Sequence, residues 1–150
     1  MKIAFVGKGG SGKSTMAALF TRYLAQRGQN VLVLDADVNT NMAGLLGVNC
    51  PAERYLSLEK NAAPFKRYLR GNNTLIRDEN AFLPTTPPMT GSNLIVRADD
   101  PALSPYAVCV QENPVINLVT VGTYMADDIG HTCYHGNLFV AENLLSHTQT

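Results

Sequence analysis

The feature that most constrains this chain is a glycine-rich loop, VGKGGSGKST over residues 6–15, held between an apolar run and an amphipathic one. The run before it, KIAFVG (Lys2–Gly7), is short, apolar, rich in β-formers and closed by a glycine, which predicts a buried strand. The run after it, KSTMAALFTRYLAQRG, predicts a helix. Met16, Leu19, Phe20, Tyr23 and Leu24 recur there at three- and four-residue steps, Arg27 falls in the last turn, and Gly28 can act as the C-cap. NVLVLDAD (Asn30–Asp37) is a second continuous apolar run, as expected of a strand covered on both faces. Strand, helix and strand in this order make a right-handed βαβ unit and predict an α/β fold.

The loop satisfies two motifs at once. Gly7, Gly9 and Gly12 spell G-x-G-x-x-G, with Asp35 about twenty residues further on, as in a dinucleotide-binding unit. Gly7, Gly12, Lys13 and Ser14 spell G-x-x-x-x-G-K-S, the triphosphate-binding Walker A loop. A pyrophosphate needs close backbone approach and has no use for a lysine after the last glycine. A triphosphate needs that lysine to neutralise charge and a hydroxyl to ligate magnesium. Lys13, Ser14 and Thr15 supply both, so the candidate nucleotide loop runs Gly7, Lys8, Gly9, Gly10, Ser11, Gly12, Lys13, Ser14, Thr15. Its N–H groups would form an anion nest at the positive end of a helix, with Ser14 as the Mg²⁺ ligand. DADVNTN (Asp35–Asn41) leaves the second strand at the same sheet edge. One of its carboxylates can face the γ-phosphate, through magnesium or by orienting a water; the alternative is a solvated strand end with turn formers.

Twelve basic and twelve acidic residues cancel, so no overall field draws the chain to nucleic acid or anionic lipid. The apolar fraction of 45% and the length of 150 residues fit one globular domain. No apolar run is long enough for a membrane span, and the N-terminus does not read as a signal peptide; a cytoplasmic protein is expected. Three scattered cysteines, Cys50, Cys109 and Cys133, are no disulfide framework; the first two read as packing or incidental thiols.

Beyond Asn49 the pattern weakens. All eight prolines fall between Pro51 and Pro114, and an irregular insertion is expected over about 50–113, with NLIVRA (Asn93–Ala98) as a candidate strand. VINLVTVG (Val115–Gly122) predicts a further strand and GNLFVAENLLSH (Gly136–His147) a final helix, with Leu138, Phe139, Leu144 and Leu145 on its apolar side. His131 and His147 are expected at the surface.

On KGGSGKST and LDADVNTN the sequence resembles the deviant Walker A ATPases, the superfamily of MinD, ParA and the nitrogenase iron protein. Its mark is the additional lysine of K-G-G-x-G-K-[ST], here Lys8. The resemblance implies a three-layer P-loop fold with a mainly parallel sheet, ATP and Mg²⁺ as ligands, and a nucleotide-sandwich homodimer. It implies that Lys8 reaches the partner subunit's phosphates, that Asp37 positions the attacking water, and that Asn41 is the family's asparagine four residues later. With GHTCYHGNLFVAENLLSH added, the chain looks like the CooC-type branch, ATPases that insert nickel during carbon monoxide dehydrogenase maturation. That branch carries a C-x-C pair at a dimer-interface metal site. Here the stretch reads TCYH, so Cys133 and His135 are the implied ligands, two per chain, of a shared Zn²⁺ or Ni²⁺ site. Members of the family are longer and carry a Walker B acidic strand after the matching helix. The chain is therefore expected to be an N-terminal piece, a single partial domain over residues 1–150 incomplete at its C-terminus.

Three functions follow as expectations. One is a dimerising Mg-dependent ATPase serving metallocentre assembly in a metalloenzyme client. A second is a partitioning or positioning ATPase, for which no basic surface or amphipathic anchor is evident. The third is a nucleotide-binding fragment that does not hydrolyse ATP.

Overall fold

The computed structural model describes residues 1–123 and 134–149, with side chains in the second stretch from residue 136 onward. Helix α1 (Lys13–Gln26) starts directly from the glycine loop and ends where Gly28 turns left-handed and donates to the Ala25 carbonyl. The helix is where the spacing predicts it, but rotated: Ala18 and Thr21 are buried, Ala17 and Ala25 pack beside them, and Met16, Leu19 and Tyr23 are exposed. Small side chains let α1 lie close on the sheet, so the larger apolar residues point outward.

Strand β1 (Val31–Asp35) leads through a turn into the short α2 (Met42–Leu46), closed by Gly47 in the left-handed region. Strand β3 (Val115–Thr120) lies parallel to β1, with Val33 opposite Leu118 and Asp35 opposite Thr120. Strand β2 (Ala107–Glu112) pairs antiparallel with β3, giving the order β1-β3-β2. Among the described residues the sheet is thus mixed rather than mainly parallel. Only two residues, Asn113 and Pro114, join β2 to β3, and so short a connection permits a hairpin but no crossover.

The α/β fold and its three layers are borne out. Val33, Ile116 and Leu118 face α1 and α2, in a cluster with Ala18, Met42 and Leu46. Val119 and Ala107, with Leu32 and Leu34 beside them, face the opposite cluster of Phe65, Leu69, Val140 and Leu144. These come from α3 (Glu59–Arg70) and α4 (Tyr134–His147). The two faces follow from the two-residue alternation of a strand.

Three expectations are corrected. Lys2–Gly7 forms no strand: among the described residues no ladder partner lies beside it, and Ile3, Phe5 and Val6 are exposed, with the Phe5 ring 5.9 Å from Phe20 of α1. A strand exists through its ladder hydrogen bonds, however apolar its sequence. The 50–113 region is not irregular throughout, since it holds α3, β2 and three 3₁₀ turns, whereas Asn93–Ala98 contributes a single bridge, Ile95 to Thr148. Finally, α4 buries Val140, Ala141 and Leu144 and leaves Phe139 and Leu145 exposed; His147 is fully buried rather than at the surface. Residues 140, 144 and 147 share one helical face, and the loop carrying Phe82 and Ile95 covers it.

Candidate functional site

The glycine loop takes the conformation its composition allows. Gly12 caps α1 with φ 82°, ψ 12°, a left-handed geometry that a side chain would strain, and its carbonyl accepts from Met16 N–H at 2.9 Å. Gly7 has φ 156°, which disfavours a side chain, and a Cβ there would come within 2.8 Å of Ser11 Oγ and displace it. Ser11 N–H donates to the Lys8 carbonyl at 3.2 Å, folding the loop on itself. The first N–H groups of α1 have no acceptor within the helix and stand at its positive end, the ordinary geometry for binding an anion. Lys8, Gly9, Gly10, Ser11 and Thr15 are exposed, and Lys13 and Ser14 are half-buried.

A cleft of about 910 Å³ runs from this loop along β1, and brings Gly7, Lys13 and Ser14 together with Asp35 and Asp37. Lys13 Nζ stands 3.7 Å from Asp37 Oδ2, an ion pair too long for a hydrogen bond. Being partly exposed, it is worth at most about 1 kcal/mol. Asp37 Oδ1 accepts from the Asn39 backbone at 3.0 Å and the Asn39 side chain at 2.9 Å. The Asn39 backbone N–H, then its side chain and the Lys13 cation, hold the Asp37 carboxyl below the usual carboxylate range. Asp37 is therefore ionised at neutral pH, a hydrogen-bond acceptor and a weak base. Burial pushes the Asp35 carboxyl upward, against the Met42 and Asp37 backbone N–H groups and with the neighbouring Asp37 charge.

Asn41 caps α2 through its backbone, accepting from Leu45 N–H at 3.2 Å, and its exposed side chain makes no capping bond. Lys8 and Asn41 do not line the cleft. Cys133 lies outside the described residues; His135 falls in the first turn of α4, and its side chain is likewise outside them. Among the described residues no group of three or more His, Cys, Asp and Glu could hold a metal ion. The donor set at the cleft, the Ser14 hydroxyl and the Asp37 carboxylate, consists of hard oxygens that fit Mg²⁺ and do not favour a soft metal. Sequence reasoning missed the part played by Asp35 and the positive φ of 47° at Thr40. An aspartate ending a strand two residues before a second aspartate was the available signal.

The CobQ/CobB/MinD/ParA nucleotide binding domain matches residues 3–133. The chain belongs to this MinD/ParA-like family. It is 34% identical over its whole length to the carbon monoxide dehydrogenase accessory protein CooC of Rhodospirillum rubrum, and covers 50% of that protein. An uncharacterized ATP-binding protein of Methanocaldococcus jannaschii is 44% identical over 54 residues, 35% of this chain and 22% of the other. No solved structure matches. The chain spans about half the length of the CooC protein, and a smaller share of the archaeal one. As a family member it is a P-loop nucleotide-binding domain, and no helix among its described residues is long and apolar enough to cross a membrane.

Proposed function

We propose that this chain carries the nucleotide site of a cytoplasmic, dimerising ATPase that couples ATP hydrolysis to delivery of a metal ion, nickel in the first instance, to a metalloenzyme. The observation that carries the ATPase part is Lys13 facing Asp37 at 3.7 Å across the cleft mouth, a phosphate-binding cation beside an ionised water-positioning group. The metal-delivery part rests on likeness to the CooC accessory protein along the whole chain.

The loop N–H groups and Lys13 bind the β- and γ-phosphates, and Ser14 would hold Mg²⁺, which would neutralise developing charge there. Asp37, weak as a base, orients the attacking water for in-line displacement while Asn39 fixes its other oxygen. Lys8, exposed on the loop, is free to reach the phosphates of a second copy, which makes turnover depend on dimerisation. Cys133 and His135 are proposed as this chain's share of an interface site for the cargo metal.

The test is ATP turnover by the full-length protein against protein concentration, with Lys13→Ala as control and nickel content of the nucleotide-bound dimer measured alongside. Turnover that rises with concentration and vanishes in Lys13→Ala supports the ATPase reading; turnover per chain that is flat with concentration overturns the dimer. Nickel retained after Cys133→Ala overturns the assignment of that ligand.

A further inference from the structure

Asp35 closes β1, and its backbone is fixed by the sheet: it stands opposite Thr120, and its carbonyl accepts from Val121 N–H at 2.9 Å. The side chain is 5% exposed. Oδ1 accepts from Asp37 N–H at 3.2 Å and Oδ2 from Met42 N–H at 3.0 Å. One carboxylate thus grips both ends of the loop that carries Asp37. Met42 is the first residue of α2, so its N–H has no helical acceptor, and Asn41 at the cap offers no side-chain bond. A carboxylate seven residues upstream takes that duty. Between the two grips the chain passes through Thr40 at φ 47°, a left-handed conformation unfavourable for a β-branched residue, with Thr40 N–H donating to the Asp37 carbonyl at 3.0 Å. Strain of this kind persists where the surroundings over-determine it.

We infer that Asp35 is the positioning residue of this loop: a sheet-anchored carboxylate that holds both loop ends, keeps Thr40 left-handed and so sets Asp37 opposite Lys13. Its effect on turnover rests on the ATPase reading above, whereas the clamp itself does not. The structure assigns the two aspartates different tasks. Asp37 faces the phosphate-binding cation, and Asp35 faces the backbone.

Asp35→Asn tests this in the full-length protein, since an amide keeps the shape but offers one acceptor oxygen where the carboxylate offers two. Losing one such bond predicts amide exchange at Met42 or Asp37 at least about tenfold faster than in the parent. Turnover falls at least about tenfold while affinity for a fluorescent ATP analogue stays within about threefold, because the glycine loop is untouched. Adding Thr40→Asn, which tolerates the left-handed region, restores part of both losses. Exchange at both amides within about twofold of the parent overturns the clamp. Unchanged turnover with accelerated exchange overturns the positioning role and leaves the ATPase reading standing. If the parent itself does not hydrolyse ATP, that reading fails while the exchange measurement still decides the clamp. If Asp35→Asn does not fold, Thr40→Asn alone decides: a raised Tm supports a loop held under strain, and an unchanged or lowered Tm overturns it.

Discussion

Lys8 and Lys13 lie five positions apart in one loop, yet their surroundings differ. Lys13 is half-buried at the start of α1 against Asp37, whereas Lys8 is exposed. Lys13→Ala removes a charge-assisted contact to phosphate, worth about 2–3 kcal/mol, so ATP affinity should weaken roughly 30- to 150-fold by titration calorimetry. Lys8→Ala should leave affinity within about threefold while turnover drops on the order of 10³, as loss of a cation supplied in trans does. Equal losses in both quantities would place Lys8 in its own subunit's site. Both lysines are legible in the sequence, because the spacing of the loop alone picks them out. The grip of Asp35 on Met42 is not, since it joins residues whose approach depends on how the loop folds over the end of β1.

Among the elements, α4 carries the clearest consequence. His147 is fully buried, its Nδ1 2.9 Å from the Asn143 carbonyl and its ring 5.7 Å from Phe82, with Nε2 lacking a partner among the described residues. Burial pushes its pKa below the ordinary 6.5, against the Asn143 contact that raises it. The folded state therefore prefers neutral imidazole. That contribution is complete above pH 6.5 and is lost as pH falls from there through the depressed folded pKa. Urea unfolding of the parent should show stability declining over this window, and in His147→Leu that part of the decline should be absent. A parallel pH dependence in the two proteins would refute the assignment. The reading of His147 as a surface residue failed because one helix does not say which of its faces will be covered. Helix α1 repeats the lesson, with its period read correctly and its alanines, not its larger apolar residues, turned to the sheet. Helix α3 was hidden differently: Pro64 sits inside it, and a proline is ordinarily a reason to end a helix.

Across the whole molecule, apolar surface is unevenly covered. Ile3, Phe5 and Val6 and the α1 residues Met16, Leu19 and Tyr23 are exposed, and among the described residues β1 pairs on one edge alone. Exposed apolar patches beside an open strand edge favour association. The 150-residue chain should self-associate at micromolar concentrations by light scattering, and Met16→Lys/Leu19→Lys should reduce this; an unaffected monomer at high concentration would count against it. The sequence by itself determined the glycine loop with Lys13 at its end, the helix after it and the second strand, because each depends on residues adjacent in the chain. Only the tertiary structure decided that, among the described residues, Lys2–Gly7 stays out of the sheet and β2 makes it mixed, that His147 is buried and that Asp35 holds the Asp37 loop. Each of these depends on which distant segments come to lie beside it, and local spacing does not encode that.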